Sequence, residues 1–221
     1  MSSPIGYCDH YGIEEIMTDP ATLLMDERNI RALVAGFVYR DQEKWEQLAD
    51  IFWPDGRLAL SWFSGTIDEF LVQSRGLAAS GKVMLKHQIG RPRVQVHGDR
   101  AIGETDIIIM LRVRIGENST LVDTTSWARF NDRYEKRDGK WKILLRTAIY
   151  EKDRVDPVEP GDTVQWTISE DVRNAFPHQY KRLASTMMEL GRTQMPPAIV
   201  NASEDQDQLE QEAQLWLAGG A

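Results

Sequence analysis

The chain has 221 residues, 42% of them hydrophobic and 27% charged, with 26 basic and 34 acidic side chains and a formal net charge of −8. That is enough chain and enough apolar mass for one sizeable domain with an extension. The charge is lopsided. Residues 155–221 hold 4 basic and 11 acidic side chains, a net of −7, which leaves −1 for the first 154. A body so nearly neutral has no cationic stripe for phosphate backbones. This excludes nucleic acid as a partner and favours a small neutral or weakly anionic ligand. The run "DIIIMLRV" is too short to span a bilayer and ends in arginine, so no membrane partner is expected. The opening "MSSPIGYCDHYGIEE" lacks the basic-then-apolar pattern of a secretory signal. Cys8 is the single cysteine, so no intrachain disulfide can form. Together these readings predict a cytoplasmic location.

In chain order, residues 1–20 read as irregular. "DERNIRALVAGFVYRDQ" then places Ile30, Leu33, Val34, Phe37 and Val38 at helical spacing, with Asp26 and Glu27 at the end that favours negative charge. "EKWEQLADIF" predicts a second helix after Asp41, ended by the turn chemistry of "WPDG". "RLALSWF" is a short strand. "TIDEFLVQSRGLAASG" is a third helix, opened by a Thr66–Glu69 capping box and closed at Gly81. A strand from Val83 to His97 follows, broken at "GRP" because Pro92 has no N–H to donate. "AIGETDIIIMLRVRIG", "TLVDTTSWARFNDRYEKR" and "KWKILLRTAIYEKD" are long strands, the last two joined by the Asp-Gly hairpin signal "RDGK". The order predicts an α+β domain over 21–154, with a curved sheet wrapped around about three N-terminal helices.

Residues 155–221 read as a C-terminal extension. A helix is expected from about His178 to Leu190, with Gly191 after it. The acidic "SEDQDQLEQEAQLWLAGG" carries Leu209, Ala213, Trp216 and Leu217 as an apolar stripe. So many large apolar groups do not suit a free linker, and the extension is expected to pack on the body or on a neighbouring subunit.

The sequence has no Gly-rich phosphate loop, no nucleophile elbow and no cysteine–histidine arrangement that would employ Cys8. His10, His87, His97 and His178 are scattered without metal-ligand spacing, so neither a metal nor another cofactor is expected. Acid–base chemistry remains. In "VMLKHQIG", Val83, Leu85, His87 and Ile89 share the apolar parity of a strand, with Met84, Lys86 and Gln88 on the other. His87 is therefore either a satisfied core histidine or a general base. Asp41, at the joint of the first two helices, is either an N-cap for the second or a carboxylate that holds an imidazole by Nδ1–H and leaves Nε2 as the base. On the last strand Leu144, Arg146, Ala148 and Tyr150 share one parity, and Trp141, Ile143, Leu145 and Ile149 the other. Arg146 is thus expected to face a cavity or a subunit interface. Asp106, Arg112 and Asp123 are either cavity-lining or solvated. Trp62, Phe63, Trp127 and Tyr150, with Trp53, are candidate flat walls for a ring-shaped ligand.

Three stretches in order, "YRDQEKWEQLADIFWPDGRL", "KHQIGRPRVQV" and "RYEKRDGKWKILLR", resemble the SnoaL-like branch of the nuclear-transport-factor-two fold over roughly residues 20–155. "FPHQYKRLASTMMELG" is similar to the Pro-x-x-Tyr tail helix of many members. The resemblance implies a cone-shaped mixed sheet and cofactor-free elimination, as in scytalone dehydratase, hexachlorocyclohexane dehydrochlorinase and bile-acid dehydratase. It implies a dyad of Asp41 and His87, with Arg146 lining the same cavity. Where such enzymes often carry a polar group a turn before the Asp, this chain has Gly36, and Tyr39 is the nearest donor. The implied reaction is loss of water, or loss of formaldehyde as in lyases acting on lignin-derived diarylpropanes, from an aromatic small molecule. The resemblance also implies a homo-oligomer, most often a trimer, whose tail covers the cavity mouth or a neighbour. The alternatives it leaves open are a non-catalytic small-molecule-binding module and an isomerase or epoxide hydrolase on the same fold.

Overall fold

A computed structural model describes residues 19–193 and 195–220. Cys8, His10 and nearly all of the segment 1–20 lie outside them.

Helix α1 (Pro20–Ala35) starts where Asp19 accepts the Thr22 N–H, with Pro20 in the first turn. There the missing proline N–H has no helical partner to lose. The apolar periodicity read as one helix is carried by two elements, because the chain tightens into a 3₁₀ turn at Gly36–Tyr39. The stripe of Ile30, Val34 and Phe37 is buried throughout. Helix α2 (Trp45–Asp50) buries Leu48. Helix α3 (Ile67–Ala79) begins with the expected capping box: Glu69 N–H donates to Thr66 Oγ1 at 3.3 Å, and Thr66 N–H to Glu69 Oε2 at 2.8 Å.

The sheet is built from β1 (Phe52–Leu60), β2 (Phe63–Thr66), β3 (Val83–Ile89), β4 (Arg93–His97), β5 (Arg100–Ile115), β6 (Thr120–Arg137), β7 (Lys140–Pro157) and the short β8 (Ile199–Val200). Its order is β2-β1-β7-β6-β5-β3, with β4 also on β5 and β8 on β7. β1 and β8 run parallel to β7, and the other pairings are antiparallel. Pro92 splits the expected 83–97 strand into β3 and β4, both paired to β5. At the β6–β7 hairpin Asp138 and Gly139 both take positive φ, 49° and 74°, as a tight Asp-Gly turn requires. The result is an α+β fold whose curved mixed sheet wraps α1–α3, as expected.

The pairing of β6 with β7 is interrupted twice, at Arg133/Tyr134 and at Trp127/Ala128. Each interruption leaves an extra β7 residue, Leu144 and then Glu151, and each extra residue resets which side chains face inward. Trp141 and Ile143, then Arg146, Ala148 and Tyr150, then Asp153 therefore all share the face against the helices. The simple alternation that set Trp141 and Ile143 opposite Arg146 does not hold.

Beyond β7 the chain holds both faces of its own sheet. Helix α4 (Glu170–Asn174) leads to α5 (Lys181–Glu189) on the inner face. The buried Asp153 carboxylate accepts the N–H groups of Arg182 and Leu183 at 2.7 and 2.8 Å, and Thr186 bonds Thr124 at 2.9 Å. Tyr180, Leu183, Ala184 and Met187 join the main core. Helix α6 (Glu204–Leu217) lies on the outer face, where Ala213, Trp216 and Leu217 cover Ile102 and Leu144. Arg100 fixes its end by donating to the carbonyls of Trp216 and Gly220 at 2.7 and 2.8 Å. Among the described residues, no helix is long and apolar enough to cross a membrane.

Candidate active site

The two readings of Asp41 are separated by geometry. It does not cap α2: the residue before that helix is Lys44, with no side-chain cap bond. The 3₁₀ turn instead aims its carboxylate at β3, where Oδ2 accepts the His87 backbone N–H and Oδ1 meets His87 Nδ1, both at 2.6 Å. An ionised carboxylate can only accept, so Nδ1 carries the proton. Nε2 is then the basic nitrogen, and the His87 ring lines the cavity between the helices and the sheet. The His87 side chain is 6% exposed and that of Asp41 3%. The edge of the imidazole meets Phe37, with ring centroids 5.4 Å apart. Burial holds the imidazole below its ordinary pKa of 6.5. The Asp41 bond opposes that shift, while Arg40 and Arg146 reinforce it. His87 is thus neutral at pH 7, the state a proton acceptor needs.

The cavity encloses about 470 Å³ of non-atom space, part of it open to solvent. Its walls are apolar: Leu60, Trp62, Phe70 and Leu77 from β1 to α3, Leu85, Ile109, Leu111 and Phe130 from the sheet, and Leu183 and Met187 from α5. The polar lining is His87 and Arg40. Among the described residues, no three His, Cys, Asp or Glu side chains gather as metal ligands would.

The other site residues expected from sequence fall in different places. Trp62 lines the cavity. Phe63 sits behind it, packed on Trp62 and Phe70. Arg146 does not line the cavity, nor is it at an open surface. It is 0% exposed and paired across the β6–β7 ladder with Asp132, Nε at 2.8 Å and Nη2 at 2.6 Å, while Tyr134 also donates to Asp132 at 2.7 Å. Phe130 and Phe37 cover its guanidinium at 4.0 and 4.7 Å from their ring centroids. Tyr39 turns away as well: its ring packs by Gly36 and under Lys44. Trp127 is on the outer face opposite Lys152, because β6 points its even-numbered residues inward. Tyr150 is buried deeper, its hydroxyl accepting the Ser61 N–H at 3.0 Å and its ring against Tyr180. Trp53 bonds the Glu135 carbonyl outside the cavity. Arg112 and Asp123 form an exposed ion pair, and Asp106 is exposed.

Sequence reasoning missed Arg40, Leu183 and Met187. In sequence Arg40 is one charge at the end of a helical stretch, and nothing there marks it as turning inward. The i, i+4 spacing of Leu183 and Met187 gives one helix face, but not what that face covers.

The SnoaL-like domain model matches residues 22–147. Over 213 residues the chain is 28% identical to "Pea pathogenicity protein 2" of Fusarium vanettenii, covering 90% of this chain and 89% of that one, so the likeness runs well into the segment beyond β7. Among solved structures, hexachlorocyclohexane dehydrochlorinase from Novosphingobium barchaimii superposes with a TM-score of 0.52 at 17% identity, covering 68% of this chain and 100% of its own. A putative scytalone dehydratase from Novosphingobium aromaticivorans superposes at 0.50 with 17% identity, covering 68% and 99%. At such identities these likenesses bear on fold. With the family model spanning more than half of its length, the chain belongs to the SnoaL-like domain family, and it shares the α+β fold of the dehydrochlorinase structure.

Proposed function

We propose that the protein is a cofactor-independent lyase in which Asp41 and His87 act as a dyad. His87 Nε2 takes a proton from an activated carbon or a hydroxyl, and Asp41 holds the tautomer and stabilises the imidazolium that forms. The observation that carries this reading is the pair of 2.6 Å contacts from one carboxylate to the backbone and ring of one histidine. A core histidine needs one partner. Here one carboxylate fixes both the strand position and the ring while the other ring nitrogen is left to the cavity.

Two eliminations fit the same base. In dehydration a C–H proton goes to His87, a C–O bond breaks, and the imidazolium returns the proton to the leaving hydroxyl as water. In deformylation a hydroxymethyl O–H is deprotonated, its C–C bond breaks to give formaldehyde, and the imidazolium protonates the carbon left behind. Arg40, which reaches the cavity, stabilises the negative charge that develops. Arg146 acts from behind the Phe37–Phe130 wall as a fixed positive charge that helps keep His87 neutral. Trp62 and Phe70 suit an aromatic substrate. Leu183 and Met187 make α5 a wall of the pocket, supporting a role for the extension in excluding water. We also infer a homo-oligomer, most simply a trimer.

The test is incubation with a panel of aromatic diols, with mass spectrometry for water loss and a colorimetric assay for formaldehyde. One of the two products is expected to form with wild type and to be lost in His87→Ala. Binding without either product across the panel supports the non-catalytic module instead.

A further inference from the structure

Arg40 differs from the chain's other buried arginine. Arg146 is paired with Asp132 through two short bonds, whereas Arg40, 7% exposed, has as its one side-chain hydrogen bond among the described residues a 3.4 Å contact with Ser74 Oγ. Its sequence neighbour Asp41 has both oxygens engaged by His87. Burial pushes the Arg40 guanidinium down to about 10, even though the neighbouring Asp41 carboxylate pulls the other way.

A second cation makes this worse. Arg192, just past α5, lies 4.7 Å from the Trp62 ring centroid, and Arg40 lies 5.5 Å from the same centroid. Arg192 donates to the neutral amide of Gln73 at 2.7 Å. The two guanidinium groups repel one another. Among the described residues, neither meets a carboxylate within ion-pair distance, while more exposed arginines such as Arg112 and Arg137 do. Two like charges held on one indole, with no carboxylate at ion-pair distance, are unfavourable unless an anion joins them. The remainder of the cavity lining, His87 aside, is hydrocarbon and aromatic.

We propose that Arg40 and Arg192, both against Trp62, form a carboxylate-recognition site at one end of the cavity, so that the ligand is a ring-bearing apolar acid. A planar monoanion matches the fork of a guanidinium, and a ring attached to it would continue into the apolar cavity beyond Arg40. The near-neutral charge of the body makes this a local device rather than a general attraction for anions. The proposal rests on the cavity being the ligand site of the proposed function, but not on the elimination itself.

The experiment is calorimetric titration of the full-length protein with cinnamate and with its neutral analogue cinnamamide. Wild type should bind the acid at least about tenfold more tightly than the amide, a difference of about 1.4 kcal/mol. Arg40→Met and Arg192→Gln should each abolish most of that preference for the acid over the amide. If Arg40→Met does not fold, as judged by circular dichroism, the more exposed Arg192→Gln decides alone. Equal affinity for acid and amide, no binding of cinnamate, or full preference in the folded variants overturns the proposal. Because the readout is binding, failure here leaves the dyad standing, and failure of the dyad leaves this result intact.

Discussion

Both oxygens of the Asp41 carboxylate are committed to His87, one to its backbone N–H and one to Nδ1, each at 2.6 Å. The residue that would hold the base in register therefore also sets its tautomer. An Asn at 41 keeps the size but has a single acceptor oxygen and an NH₂ donor, so it no longer enforces protonation at Nδ1. Asp41→Asn should stay folded and lose roughly tenfold or more in kcat. Nitrogen-15 NMR of the imidazole should show the tautomer shifting toward Nε2–H. An unchanged tautomer with unchanged rate would remove Asp41 from the proposed mechanism.

The pH dependence follows from the lowered pKa of His87, caused chiefly by burial. kcat/KM should be flat through neutral pH, with an acid limb below the ordinary histidine value of about 6.5. Stability has the same sign. On acidification the unfolded chain takes up this proton first, so its contribution is fully present above pH 6.5. It is lost as pH falls from 6.5 to the lowered folded value, and is constant below that. Urea melts of wild type against His87→Gln across that window should show the slope in wild type alone. An acid limb above the ordinary histidine value would contradict the burial argument.

Arg146 and Asp132 form an ion pair with both side chains 0% exposed. Asp132→Ala strands a charge in the core and should reduce stability by about 3–5 kcal/mol, whereas a well-packed apolar replacement of both partners should recover most of the loss. Chemical denaturation checks this, and a loss below about 1 kcal/mol would mean that Arg146 finds another partner.

How far the sequence revealed the site depends on what a strand pattern can carry. His87 was legible because period two places it with Val83 and Leu85 and nothing interrupts β3. Arg146 was half legible: it is buried as expected, but the extra residues at Leu144 and Glu151 and the partner Asp132 are settled by pairing between strands, which one strand's pattern does not record. Trp127 was misplaced for a similar reason. Its strand alternates cleanly, but which parity faces the helices depends on the whole sheet. Tyr39 and Arg40 are neighbours on a 3₁₀ turn, and the tighter rotation there puts Arg40 rather than Tyr39 on the cavity side. The caps at Thr66 and the Asp138–Gly139 turn were legible because they are local in sequence.

Helix α5 supplies Leu183 and Met187 to both core and cavity. Met187→Ala should cost about 2–5 kcal/mol of stability and weaken ligand binding in the same variant. Truncation after Pro157 should leave a chain that aggregates. A truncated chain as stable as wild type and equal in ligand affinity would reduce the extension to decoration.

Multi-angle light scattering should give a mass three times that of the 25.3 kDa chain. A monomer at micromolar concentration would contradict the inferred assembly.

The most direct measurement is the turnover of His87→Ala on whichever compound of the aromatic diol panel wild type converts. With circular dichroism and ligand affinity retained, the rate should fall by about 10²-fold or more, as expected for loss of a positioned general base. Full turnover by the folded variant would show that His87 is a core histidine and that the chemistry lies elsewhere.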